Sequence, residues 1–460
     1  MLETLWKFAA RLLVVFAAAI LVLFVFVLGS RILDKVSEGS ELPGIEAQLE
    51  VNSGSLKLRG LGVFPRVDRV LVAASLEFEN RAIVSSRNAE EIKIVDLLSF
   101  EILHNYSFED LGFRSTLGLE TSELFLFDLE MMDDTKLYVS LVATNRSPET
   151  CDAYAILSVP ISSLGTLSES EEVWRSDVCR SVVREDYGWP DFNGRMALDE
   201  DHIYLTSGLS SMNMISEIFP EPAIMGVLPS LAEELESNDL FGRITQINAK
   251  SGESRVYASG FRSPAGIAVR ELNGSKSIWV SDHGSRGGDE LNLVADGKNY
   301  GWPHVSLGTS YGLSQSATVL TRFLTHEGYE SPTFSWTPSI APSQVLVIED
   351  SRFEGLSWGK GTLIMGTLKD ESLRVLQIDD ENRLLADERV ELGHRIRDLA
   401  YSSRGIVAST DDGMVLVISE LGREFSRAGM FPPLERKTWL DYPGISTLKY
   451  MSDVLLDLVS

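Results

Sequence analysis

The chain has 460 residues, enough for a large core, and sets 41 basic against 67 acidic residues for a formal net charge of −26. That balance excludes a nucleic-acid binder, which needs clustered Lys and Arg against phosphates, and suits a body kept apart by self-repulsion or one that binds cations. Two cysteines exclude a disulfide-rich module, and neither Cys151 nor Cys179 has a Cys or His at zinc-site spacing. Whether these two are bridged the sequence leaves open.

The first element is an uninterrupted apolar run, Leu12 to Leu28, preceded by Lys7 and Arg11. Extended back to Phe8 it reaches roughly 20 residues with one Arg able to snorkel, enough to cross a bilayer. It is longer than an ordinary signal-peptide core, and no small-x-small cleavage site follows it. Residues 1–36 therefore read as a cytoplasmic tip and uncleaved signal anchor, placing the body on the periplasmic side of the inner membrane. Arg31 and Lys35 weigh against that orientation, and a cleaved, secreted form stays open. Residues 31–45 read as a polar stalk.

Beyond the stalk, short alternating strands are broken by Gly, Asp, Asn and Ser turns, as in His202–Thr206, Ser277–Ser281, Gly361–Met365, Leu373–Ile378, Arg404–Ser409 and Gly413–Ile418. Such spacing predicts an all-β sandwich, barrel or propeller. A looser repeat, strand, Asp or Gly turn, then a strand ending in Thr or Ser, recurs near 196–207, 266–282, 356–367 and 398–410 and favours a propeller over 37–430. Pro229–Glu236 is a helical candidate inside an insertion. Residues 431–460, ending in the apolar Val454–Val459, read as a segment closing or packing on the ring.

The most informative stretch is Trp279–Pro303, where a strand enters a turn with three glycines and the acids Asp289 and Glu290, then the aromatic corner Asn299–Pro303. Glycines let backbone carbonyls approach a ligand, and carbonyls with one or two carboxylates suit a hard cation such as calcium. From composition alone, a Gly-rich surface loop with solvated acids is the more ordinary reading.

Together with Gly194-Arg-Met, Tyr257–Gly266, Ser335–Pro342, Gly366–Lys369 and Gly393–Asp398, this stretch makes residues 185–420 resemble the soluble quinoprotein aldose sugar dehydrogenases, the glucose/sorbosone dehydrogenase family. Residues 46–180 match only faintly. The resemblance implies an all-β, six-bladed propeller that uses pyrroloquinoline quinone (PQQ) and calcium to oxidise an aldose or polyol. PQQ carries three carboxylates. Arg395 and Arg397, at i and i+2, share one face of a strand and can clamp carboxylates, with Lys369 adding a third positive charge. Arg262, Tyr311 and Trp336 match positions near the family's cofactor and substrate cleft; core packing suits the two aromatics equally. Asp398 reads as orienting Arg397 or its turn.

For calcium, the resemblance implies one ion on the Glu290 carboxylate and the Tyr300 carbonyl, and an activating ion on the carbonyls of Gly284 and Ser285, the last replacing the family's proline. The match fails at the catalytic base. The family's histidine falls at Asp191, its supporting aspartate at Leu209, and the Asn and Gln after its matching arginine at Ser263 and Ala265. Asp191 can serve as base if desolvation raises its pKa, or it caps a turn after Pro190. His283, in the calcium loop, is the other candidate. Two rival readings stay open: a non-catalytic calcium-stabilised propeller that binds a ligand or partner, and a calcium-dependent lactonase-type hydrolase. The electron acceptor and the particular sugar are not legible.

Overall fold

A computed structural model of the chain describes residues 45–51, 54–62, 69–86, 90–119, 123–144, 153–176, 193–208, 242–284, 287–302, 304–308, 326–351, 353 and 358–420. The expected membrane segment, the 229–236 helix, both cysteines and 431–460 lie outside these residues. Among the described residues no helix is long and apolar enough to cross a membrane.

The expected propeller has six antiparallel sheets. Blade 1 holds β3 (Val70–Ala73), β4 (Arg81–Ser86), β5 (Glu91–Asp96) and β6 (Ile102–Ser107); a short helix α1 (Phe113–Leu117) follows it. Blade 2 holds β7 (Glu123–Met131), β8 (Lys136–Thr144), β9 (Ala153–Pro160) and β10 (Glu171–Arg175). Blade 3 holds β11 (Met196–Leu198), β12 (His202–Ser207), β13 (Arg243–Asn248) and β14 (Ser254–Ser259). Blade 4 holds β15 (Pro264–Leu272), β16 (Ser275–Asp282), β17 (Asp289–Val294) and β18 (Phe334–Trp336). Blade 5 holds β19 (Pro342–Val347), β20 (Leu363–Thr367), β21 (Ser372–Ile378) and β22 (Leu384–Glu391). Blade 6 holds β23 (Ile396–Ser402), β24 (Gly405–Thr410) and β25 (Met414–Glu420), completed by β2 (Gly54–Gly62) and β1 (Ile45–Val51) from the start of the body.

The ring is therefore closed by pairing β2 onto β25, with Leu58 opposite Ile418; residues 431–460, expected to close or pack on the ring, lie outside the described residues. Part of the expected stalk, from Ile45, is strand. Three of the four repeat units are first-and-second-strand hairpins; the one near 356–367 holds only β20, because that blade's axial strand begins at Pro342.

The first strands of successive blades, β3, β7, β11, β15, β19 and β23, touch in a closed ring and line the axis. A strand packed between two neighbouring blades loses its polar face, so β3 and β24 are buried along their whole length. Outer strands such as β6 are exposed. The core is a set of interblade seams; one joins Val70, Val72, Ala82 and Val84 to Val407 and Val415. Each fully buried Val, Leu or Ile contributes about 1.5–3 kcal/mol.

Serines latch blades across these seams. Ser281 Oγ donates to the Ser343 carbonyl at 2.7 Å, Ser343 Oγ to Ile396 at 2.7 Å, and Ser409 Oγ to Val70 at 2.6 Å. Ser140 Oγ makes the matching bond to Gly194. Close approach of β15 to β19 requires Gly266, where an added Cβ would lie 2.3 Å from the Ser343 carbonyl oxygen.

Candidate active site

In each blade the start of the axial strand and the end of the second strand open on one face. That face gathers Arg262 and His283 of blade 4, Lys369 of blade 5, and Arg395 and Arg397 of blade 6.

Beneath it, a buried polar hub ties all six blades together. Arg195, one residue before β11, places Nη1 2.7 Å from Asp128 Oδ1 and 2.8 Å from Asp398 Oδ1, and Nη2 donates to the Arg397 carbonyl at 2.9 Å. The free oxygens are satisfied by backbone: Asp128 Oδ2 accepts Met196 N at 2.6 Å, and Asp398 Oδ2 accepts Val72 N at 2.9 Å. Gln344 of β19 donates to Glu130 of β7 at 3.3 Å and accepts from Ile267 N of β15 at 3.2 Å. Three carboxyls thus surround one guanidinium. Burial, then the charges of Asp128 and Asp398, push Glu130 well above the ordinary carboxylate range. Asp128 and Asp398 contact the Arg195 guanidinium directly while Glu130 is bonded to the neutral Gln344, so Glu130 is the carboxyl that favours its protonated form.

Arg395 and Arg397 flank Ile396 at the bulge that opens β23. Both reach Asp411, in the turn after β24: Arg397 Nε to Oδ1 at 2.7 Å and Nη2 to Oδ2 at 3.0 Å, Arg395 Nε to Oδ2 at 2.8 Å. Burial raises Asp411, but Arg397 and Arg395 outweigh it and hold the carboxyl below its usual range. Asp411 therefore orients the arginine pair, and Asp398, expected to do so, belongs to the hub. Lys369 lies two residues beyond the end of β20 in an exposed turn, its backbone N–H bonded to Ile340 O at 3.1 Å.

Blade 4 supplies the loop singled out in sequence. Asp289 organises it, accepting from Gly284 N at 3.1 Å, Ser339 Oγ at 2.6 Å, Ile340 N at 2.8 Å and Ala341 N at 2.8 Å. Asp282 accepts Arg262 N at 2.9 Å and Ser263 N at 2.6 Å, and burial pushes it up to about 6. Arg262 Nη1 donates to the carbonyls of His283 at 3.2 Å and Gly284 at 3.0 Å, its guanidinium 5.5 Å from the Trp302 ring centroid, while its Nε is buried without a partner. His283 Nε2 bonds the Pro342 carbonyl. A carbonyl only accepts, so Nε2 carries the hydrogen and Nδ1 is the unprotonated nitrogen.

Glu290 is buried opposite Asp282 and is pushed up to about 8 by burial, then by Asp282. Asn292 Nδ2 donates to it at 3.2 Å, and Asn292 Oδ1 is buried with no partner. Tyr300 stacks on Phe261 at 4.8 Å and its hydroxyl donates to Leu293 O at 2.6 Å. Among the described residues no three His, Cys, Asp or Glu side chains converge on a metal position.

Of the expected site residues, Arg262, Lys369, Arg395, Arg397 and Gly284 share the mouth. Glu290 and Tyr300 lie in or beside blade 4, and Trp336 sits in its outermost strand, bonded to Asp387 at 3.0 Å, so it packs in the core. Asp191, Ser285, Tyr311 and Leu209 lie outside the described residues. Sequence reasoning missed Asp411, Asn292 and the Asp128–Arg195 pair. Only Asp411 left a local trace, the acidic turn Asp411-Asp-Gly413.

The profile of the family described as Glucose / Sorbosone dehydrogenase matches residues 128–417. The chain is 27% identical over 237 residues to an aldose sugar dehydrogenase of Escherichia coli, covering 50% of this chain and 60% of that one. It is 23% identical over 299 residues to quinoprotein glucose dehydrogenase B of Acinetobacter calcoaceticus, covering 50% and 58%. It thus spans about three fifths of the length of these relatives. Among solved structures, a glucose dehydrogenase shares the fold with a TM-score of 0.57 at 19% identity, over 79% of this chain and 99% of that one.

Proposed function

The chain belongs to the glucose/sorbosone dehydrogenase family, and from that premise we propose that it oxidises the C1 hydroxyl of an aldose or related polyol with PQQ and calcium. The observation that carries the reading is the gathering of Arg262, Lys369, Arg395 and Arg397 from three blades at one mouth. Asp411 is shared by two guanidiniums and Arg262 keeps a buried unpartnered Nε, so cationic donors gather at the mouth with hydrogen-bonding capacity to spare. A tricarboxylate fits such a surface through bidentate, charge-assisted bonds. PQQ, when bound, supplies the hydride acceptor.

The chain's own part is to orient the sugar and take its hydroxyl proton. His283 suits the second task, because burial holds its pKa below the ordinary value and its Nδ1 is the unprotonated nitrogen. Asp191, at the position of the family's histidine, is the competing base. Glu290, Asn292 Oδ1 and the Tyr300 carbonyl are the hard oxygen donors a calcium ion takes, and the carbonyls of Gly284 and Ser285 would serve the activating ion. The apolar run 8–28 supports a body tethered to the membrane and exported.

Titrating the purified protein with PQQ, with and without calcium, and then assaying dye-linked oxidation of an aldose panel tests the reading. Calcium-dependent binding with turnover is expected. Absence of both PQQ binding and oxidation would sink it, and binding without turnover would favour the non-catalytic propeller. Between Asp191→Asn and His283→Asn, the base is the one whose loss abolishes kcat while PQQ still binds.

A further inference from the structure

Where blades 3 and 4 meet at the mouth, two polar side chains that the cofactor reading does not use lie against each other. Asn193 comes shortly before β11 and Ser263 immediately before β15, so both open on the mouth face. Asn193 Nδ2 donates to Ser263 Oγ at 2.9 Å. Their backbones are held by other bonds. Tyr154 Oη donates to Asn193 O at 2.6 Å, Ser263 N donates to Asp282 Oδ1 at 2.6 Å, and His283 N donates to Ser263 O at 3.1 Å. The joint between the blades is thus secured without the side-chain contact.

The amide is also given room. Gly208, directly after β12, does not take a left-handed φ, yet a Cβ added there would lie 2.7 Å from Asn193 Nδ2. What this glycine keeps is space for the amide. Asn193 is half-buried, and its Oδ1 and second Nδ2 hydrogen have no partner among the described residues; nor does the Ser263 hydroxyl hydrogen. An acceptor and donors are left side by side, the complement of a sugar hydroxyl, which both donates and accepts. Both candidate bases adjoin the pair: His283 is bonded to Ser263 through the backbone, and Asp191 stands two residues before Asn193.

We propose that Asn193, anchored by Ser263, binds the sugar hydroxyl beside the one oxidised, the C2 hydroxyl of an aldose, and so sets substrate specificity. This rests on the sugar oxidation proposed above. Full-length Asn193→Ala, Ser263→Ala and Gly208→Ala proteins are compared with wild type, each loaded with PQQ and calcium. The readout is the ratio of kcat/KM for an aldose to that for its 2-deoxy analogue, in dye-linked oxidation, with the melting temperature as a check on folding.

Losing a neutral hydrogen bond weakens binding about 3- to 10-fold, and a site built for a hydroxyl rejects the analogue that lacks it. Wild type should prefer the aldose by at least that factor, and Asn193→Ala should bring the ratio close to one. Ser263→Ala, which frees the amide, and Gly208→Ala, which displaces it, should lower the ratio less. A merely structural role would slow both sugars alike, so a wild-type ratio in Asn193→Ala overturns the proposal. Should that variant not fold, the ratio in the other two decides by the same criterion. If wild type oxidises no aldose, the oxidation reading fails separately, and calorimetric titration of the unloaded proteins with the same two sugars decides for Asn193. Preference for the aldose in wild type, lost in Asn193→Ala, upholds its role; equal or absent binding ends it.

Discussion

Replacing Arg195 by Met removes the one cation of the axial hub while keeping an unbranched apolar side chain of similar length. Asp128 and Asp398 are 0% and 1% exposed and lose their shared guanidinium, though each keeps backbone N–H donors. Breaking a buried pair by deleting one partner costs about 3–5 kcal/mol. An independent ceiling follows from chemistry: an orphaned Asp can escape by protonating, which at pH 7 costs about 4 kcal/mol from an ordinary pKa near 3.9. A domain of this size has a large unfolding entropy and loses only about 1–2 °C per kcal/mol, so with a cost of about 3–4 kcal/mol Arg195→Met should melt roughly 3–8 °C below wild type in thermal scans followed by circular dichroism. Adding Asp398→Asn should restore part of the loss by removing an unpaired charge. A single variant melting within about 2 °C of wild type, or a double variant that is worse, would refute the idea that this pairing holds the ring.

Glu130 carries the pH dependence. Its folded pKa lies well above the usual value, so the folded chain holds a proton that the unfolded chain releases above about 4.3. Stability is therefore lost as pH rises through that window; Glu130→Gln should flatten the fall in melting temperature, and an unchanged slope counts against a protonated Glu130. Gly266→Ala would press its Cβ to 2.3, 2.6 and 2.7 Å from backbone atoms of Ser343, Gln344 and Val345. It should cost about 1–3 kcal/mol or more in urea unfolding, and a neutral result would mean that β15 and β19 can separate freely. Arg397→Ala should weaken PQQ about 10- to 100-fold in a fluorescence titration without abolishing folding; undiminished affinity removes Arg397 from the cofactor site.

Much of the architecture was legible because strand patterning is local. The Gly-rich turn of blade 4 announced close backbone approach, and the mouth's cations sat in short motifs whose order could be read. The partners of those cations were not legible. Asp398 is adjacent to Arg397 in sequence, yet the bulge at Ile396–Asp398 turns its carboxylate toward Arg195 and Val72. Asp411, 14 residues from Arg397, takes the place assigned to it. Trp336 looked like a cleft residue by motif, but its strand is the outermost of its sheet.

The sequence by itself determined the all-β class and the face along each strand, since period-two alternation and turn chemistry act over a few residues, while the cations of the mouth were picked out by the family resemblance. The tertiary structure decided which charges meet. Arg195 finds Asp128 67 positions away and the Arg397 carbonyl 202 away, and Ser409 reaches Val70 across 339. Such pairs form because six axial strands converge on one centre, and their buried polar groups must find partners there. No local pattern records that closure, and β2 completing the last blade is its clearest instance.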